Sequence, residues 1–168
     1  MKRLYVLRHA KSSWDDSSLA DFDRPLNTRG LETAPMMGDL MKQRQLLPDA
    51  VISSPAIRAR ETAKLTADAM GFDRPIVFDD RVYEAGPLTL LNVLSEVRET
   101  AGSVMLVGHN PGMEGLIRSL TGEIAAMPTA ALAIIDLEIA DWNDVRSNSG
   151  KLVDILRPKD DLSDLTSR

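Results

Sequence analysis

Along this chain two hydrophobic periodicities alternate, and that alternation leaves few folds open. Short apolar runs at Leu4–Leu7, Ala50–Ile52 and Ser103–Val107 are separated by longer stretches whose apolar residues recur at helical spacing. A short apolar run must pair with others into a sheet to satisfy its backbone. The amphipathic stretches between the runs then bury their apolar faces against that sheet. The expected class is α/β with a largely parallel central sheet.

The first strand, Leu4–Leu7, precedes a polar, Asp-rich stretch over residues 10–27 that reads as one long loop, and loops of this length are often functional. Thr28 is placed to cap a helix running to about Gln45, with Leu31, Ala34, Met37, Leu40 and Met41 on one face and a kink at Pro35. Ser53-Ser54-Pro55 stops the second strand, and a helix over Ile57–Met70 ends at Gly71. Pro75–Phe78 is a third strand candidate and Leu88–Arg98 is helical. After Ser103–Val107, Gly108–Gly112 turns the chain into a helix over Met113–Thr121, closed by Gly122. Ala131–Ile139 and Leu152–Leu156 read as strands, with Asn148-Ser149-Gly150 as a hairpin turn. The polar tail after Pro158 is expected to fray. No repeat or linker divides the chain, so residues 1–168 read as one domain.

Composition removes several function classes. A formal net charge of −5 argues against coating nucleic acid or an anionic membrane. With no cysteine there is no disulfide, thiolate zinc site or Cys nucleophile. Met1-Lys2-Arg3 runs into a stretch too short for a signal-peptide core, and no apolar run is long enough for a membrane span. A cytoplasmic protein is the expectation.

The chain has two histidines, and both stand just past an apolar strand: Leu7-Arg8-His9 and Val107-Gly108-His109. Ligands of open α/β sheets bind outside the carboxyl ends of the strands, so parallel neighbours would bring both imidazoles to one rim. A single histidine reads as a satisfied structural residue; two in matching positions do not. Arg8 follows the first strand directly. Arg58, on the first turn after the second strand, reads alone as a solvated helix arginine, yet it reaches the same rim. Guanidinium groups bind phosphate through paired hydrogen bonds. The helix opening at Gly112 would add backbone N–H donors that suit an anion.

This arrangement resembles the histidine phosphatase superfamily, and within it the SixA-type phosphohistidine phosphatases. Leu7-Arg8-His9-Ala10 matches the family's Arg-His signature, with Ala10 where many members carry Gly. Asp23-Arg24-Pro25-Leu26-Asn27-Thr28-Arg29-Gly30 matches the segment entering the first helix. Ser53-Ser54-Pro55 with Arg58, Ala59 and Thr62 matches the second phosphate-binding arginine motif, and Val107-Gly108-His109-Asn110-Pro111 the second-histidine motif. The resemblance implies a three-layer α/β/α sandwich of the phosphoglycerate mutase-like kind. It also implies a metal-independent phosphatase with no cofactor. His9 would be the nucleophile that becomes a phosphohistidine, with Arg8, Arg58 and His109 clamping the phosphoryl oxygens. Glu84 matches the family's acid position loosely, and Lys11 and Arg24 are candidates to line the site. The implied partner is a phosphohistidine-bearing protein, with a small phosphorylated metabolite as the alternative.

Other readings fit less well. Gly108, Gly112 and Gly115 lack the dinucleotide-binding spacing. Gly150-Lys151 is followed by Leu152, so no P-loop exists, and no G-x-S-x-G is present. A phosphate-binding module without catalysis would need arginines but not the histidine pair. A mutase would need pocket insertions for which this chain is short.

Overall fold

Strand β1 (Lys2–Arg8) sends alternate side chains into two separate cores. Leu4 and Val6 join one cluster, with Leu90, Leu94, Leu106 and Leu116. Tyr5 and Leu7 join the other, with Met37, Met41, Ala63 and Met105. A strand buried on both faces reads as a continuous apolar run, which is why Leu4–Leu7 shows no alternation. The computed structural model describes residues 1–162.

The further elements are α1 (Thr28–Gln43), β2 (Ala50–Ser53), α2 (Ile57–Met70), β3 (Val77–Phe78) and α3 (Pro87–Ser95). They are followed by β4 (Ser103–Gly108), α4 (Gly112–Thr121), β5 (Leu132–Leu137), β6 (Gly150–Leu156) and α5 (Pro158–Asp161). The sheet order is β3-β2-β4-β1-β5-β6. β1, β2, β3 and β4 pair in parallel, whereas β5 lies antiparallel between β1 and β6. Helices α1 and α2 cover one face, α3 and α4 the other, giving the three-layer α/β/α sandwich of the phosphoglycerate mutase-like fold.

Several boundaries differ from the sequence expectation. Asn27, not Thr28, caps α1: its Oδ1 accepts the Gly30 N–H at 2.9 Å. Helix α1 passes through Pro35 and ends at Gln43. Gly71 closes α2 in the left-handed conformation, φ 80°, where a side chain would be strained. β3 is only two residues long, and α3 stops at Ser95. The 10–27 loop holds a 3₁₀ turn at Asp21–Asp23 and a bridge between Ser12 and Leu26.

The final hairpin is a correction. β5 and β6 do pair, but residues 138–149 connect them and include a 3₁₀ turn at Trp142–Asp144, so Asn148-Ser149-Gly150 is not the whole turn. Trp142 explains the length. Its ring is fully buried and its Nε1–H donates to the Ala101 carbonyl at 2.7 Å, pinning the connection into the core. The tail is also corrected in part. Past Pro158 the chain forms α5, and Leu162 is buried against the α1 side of the sheet, while residues 163–168 lie outside the described residues. Among the described residues no helix is long and apolar enough to cross a membrane.

Candidate active site

The register of the parallel strands builds the site. Arg8 of β1 lies opposite Gly108 of β4, so His9 and His109 leave the sheet level with each other. The His9 N–H donates to the Gly108 carbonyl at 3.0 Å, and the two imidazole centroids stand 5.1 Å apart. On the other side of β4, the Ser54 N–H donates to the Val107 carbonyl at 3.0 Å. That brings Ser54 Oγ to 2.8 Å from His109 Nε2. Arg58 stands on the first turn of α2 and is only 7% exposed, which corrects the reading of a solvated helix arginine.

His9 is 6% exposed, and its Nδ1 lies 2.7 Å from the Ala10 carbonyl oxygen. A carbonyl can only accept, so in the neutral ring Nδ1 carries the proton and Nε2 holds the free lone pair. Burial holds the His9 pKa down to about 4, with the charges of Arg58, Arg8 and Arg24 acting in the same direction and the Ala10 bond against it. His109 is held at about 3, mainly by burial, then by His9 and Arg58. Both rings are neutral at pH 7.

Arg8 is anchored from behind. Its Nη1–H donates to the Met127 carbonyl at 3.0 Å, and the Met127 N–H donates to Glu114 Oε1 at 2.8 Å. Asn110 Nδ2 donates to both Glu114 Oε1 and the Met127 carbonyl, each at 3.0 Å. Among the described residues, the buried side-chain nitrogens and oxygens without a partner are Arg8 Nε and His109 Nδ1. Buried polar atoms are nearly always satisfied, so two orphans at one site suit a place that gains a partner when ligand binds. The expected N–H donors of α4 are largely taken: Met113 N–H donates to the His109 carbonyl at 2.9 Å and Glu114 N–H to Asn110 Oδ1 at 3.3 Å.

A cleft of about 530 Å³ opens beside His109 and Arg58, with Asp21, Tyr83 and Glu84 on its walls. Gly112 is required there, since a Cβ would lie 2.4 Å from the Ala85 carbonyl. Another cleft of about 540 Å³ lies along β2 and β3 and includes neither histidine. Glu84 is exposed at the active-site cleft with φ 56°. Arg24 is buried beside the site: its Nε donates to the Ser13 carbonyl at 3.1 Å, its Nη2 to Ser12 Oγ, and its guanidinium lies over the Trp14 ring. Lys11 is exposed and lines a separate groove of about 190 Å³ with Arg29, Thr33 and Lys159, so the structure does not bring it to the cleft.

Asp21 is the residue sequence reasoning missed. Its Oδ2 accepts from Arg58 Nη2 at 3.0 Å and from the Tyr83 hydroxyl at 2.7 Å, and its Oδ1 from Arg24 Nη1 at 3.0 Å. Its backbone carbonyl accepts Arg58 Nη1 at 2.6 Å. Tyr83 holds the Asp21 carboxyl down to about 2, followed by Arg58 and Arg24. No spacing could have signalled a contact across 37 residues between a loop and a helix.

The sequence matches the Histidine phosphatase superfamily (branch 1) over residues 4–89. It is 32% identical over 164 residues to an uncharacterized protein of Mycobacterium tuberculosis, covering 91% of this chain and 100% of that one. It is 25% identical over 140 residues to the phosphohistidine phosphatase SixA of Escherichia coli, covering 81% and 86%. The crystal structure of SixA from Agrobacterium tumefaciens superposes with a TM-score of 0.80 at 35% identity, covering 94% of this chain and 98% of that one.

Proposed function

We propose, from the premise that this chain belongs to the histidine phosphatase superfamily, that it removes phosphoryl groups from phosphohistidine on a protein substrate through a covalent intermediate on His9. Membership of that superfamily, together with the likeness to SixA proteins, supports a phosphatase. The bond from His9 Nδ1–H to the Ala10 carbonyl carries the assignment of nucleophile, because it leaves Nε2 unprotonated with its lone pair available for attack. Nε2 attacks phosphorus in line, the phosphorus–leaving-group bond breaks, and the leaving group keeps the electron pair. Water then attacks the phosphoryl group on His9 and releases inorganic phosphate. Arg8, Arg58 and His109 donate to the equatorial oxygens, where charge must be held during transfer. The charge that a divalent metal would supply comes from Arg8 and Arg58, with Arg24 behind them, which supports metal independence. The likeness to SixA of Escherichia coli supports a protein phosphohistidine substrate.

Glu84 at the cleft favours a second reading, a small phosphate monoester whose alkoxide leaving group takes a proton from that carboxyl. Rapid quenching during turnover of a phosphohistidine protein, after exhaustive EDTA treatment, tests the first reading. The expected label is acid-labile, alkali-stable and confined to the peptide containing His9. Label on Ser12 or Ser13, or activity restored only by Mg²⁺ or Zn²⁺, overturns it.

A further inference from the structure

In an in-line displacement the leaving group lies on the far side of phosphorus from His9. His9 is almost fully buried, and His109, whose ring centroid is 5.1 Å from that of His9, lines with Arg58 the cleft walled by Asp21, Tyr83 and Glu84, which offers a leaving group its space. Among the described residues lining that cleft, Arg58 is the only cationic side chain, and two of its N–H groups are committed to Asp21. A pocket for a carboxylated or doubly phosphorylated metabolite needs a cation beyond the one that holds the transferring phosphate. This cleft presents carboxylates instead.

We propose that Asp21 is the specificity-determining residue of this site: a fixed anion beside the leaving group that favours a protonated ring nitrogen and disfavours phosphate esters bearing a further anion. The proposal rests on the phosphohistidine reading above. Three donors fix the carboxylate, and Phe22 packs edge-on against Tyr83 with ring centroids 5.2 Å apart, holding the loop in place. With its pKa near 2, Asp21 is anionic throughout the neutral range.

The chemistry gives the anion a purpose. In phosphohistidine one ring nitrogen bears phosphorus and the other can bear a proton. When His9 Nε2 forms its bond to phosphorus, the old phosphorus–nitrogen bond breaks and its pair stays on the ring nitrogen. A ring that enters protonated therefore leaves as neutral imidazole with no external acid. A carboxylate beside that ring favours the protonated form on binding. The same charge repels the carboxylate of a phosphate such as phosphoglycolate.

The test compares kcat/KM for phosphoimidazole, p-nitrophenyl phosphate and phosphoglycolate in the wild type, Asp21→Asn and Asp21→Glu. Removing one partly solvated charge at this range is expected to lower the phosphoimidazole value and raise the phosphoglycolate value, each by on the order of 10-fold. The p-nitrophenyl phosphate value should move least, and Asp21→Glu should restore the wild-type order. A uniform fall for all three substrates would mean that Asp21 only positions Arg58, and the proposal fails. Calorimetry of phosphoglycolate and inorganic phosphate reads the same charge without turnover. If the wild type hydrolyses none of the substrates, the phosphatase reading fails. Asp21 is still tested, because Asp21→Asn must then strengthen phosphoglycolate binding relative to phosphate, and unchanged relative affinity overturns the proposal.

Discussion

Acid should weaken this fold through His9, within a window set by that residue's two pKa values. In the unfolded chain a histidine titrates near ~6.5. In the folded chain burial holds His9 at about 4. Between these values the unfolded state binds more protons than the native state, so stability falls as pH drops and is flat above the window and below it. At pH 5 the loss is about 1.4 kcal/mol for each of about 1.5 pH units, or roughly 2 kcal/mol. That is a large fraction of the roughly 5–15 kcal/mol available to a domain of this kind. His9→Asn removes the titration and keeps a donor for the Ala10 carbonyl. His109 remains in both proteins, and Asp21, held near 2, stays ionised throughout the window. Urea unfolding at pH 5 and 7.5 should therefore show the wild type losing about 2 kcal/mol more than His9→Asn on acidification. An equal loss in both proteins would refute the argument that burial suppresses protonation of His9.

Arg58→Ala should cost roughly 1–3 kcal/mol in urea melts, because it removes a buried guanidinium that donates to both the Asp21 carboxylate and the Asp21 carbonyl. It should also lower kcat by on the order of 10²–10³-fold, the scale of one lost transition-state donor. Arg60, which stacks its guanidinium 4.2 Å from the Phe78 ring centroid, is the control whose truncation should leave kcat unchanged. Glu84→Gln should depress hydrolysis of alkyl phosphates by about 10²-fold or more while sparing phosphoimidazole and p-nitrophenyl phosphate. A uniform drop across leaving groups of graded basicity would assign Glu84 to pocket shape instead.

The parts of the site that sequence made legible are those carried on strands. Parallel pairing preserves register, so Arg8-His9 and Gly108-His109 had to meet once their strands became neighbours. Arg58 was legible as a rim residue because only Ser54, Pro55, Ala56 and Ile57 separate it from β2, but its burial was not. That burial comes from the 10–27 loop folding over it, and a loop's path follows from tertiary contacts rather than periodicity. Asp21, Tyr83 and Lys11 were opaque for the same reason. The β5–β6 connection misled because Asn148-Ser149-Gly150 is a locally sound turn, while the decisive residue, Trp142, acts through a distant bond to Ala101.

The pairing of β1 also orders events in time. Leu7 lies opposite Val107 on one side and Leu132 on the other. The strand that carries the nucleophile therefore completes its ladders only with segments a hundred or more positions further along. Chain-closure entropy grows slowly with loop length, so this separation costs little at equilibrium. Its cost is kinetic, because such distant pairings are found late in a conformational search. During synthesis the α1–α2 pair can form early, whereas His9 acquires its low-dielectric surroundings only after β4 and β5 have been made. A partly made chain therefore carries an ordinary, protonatable histidine, and phosphoryl transfer waits for the sheet to close.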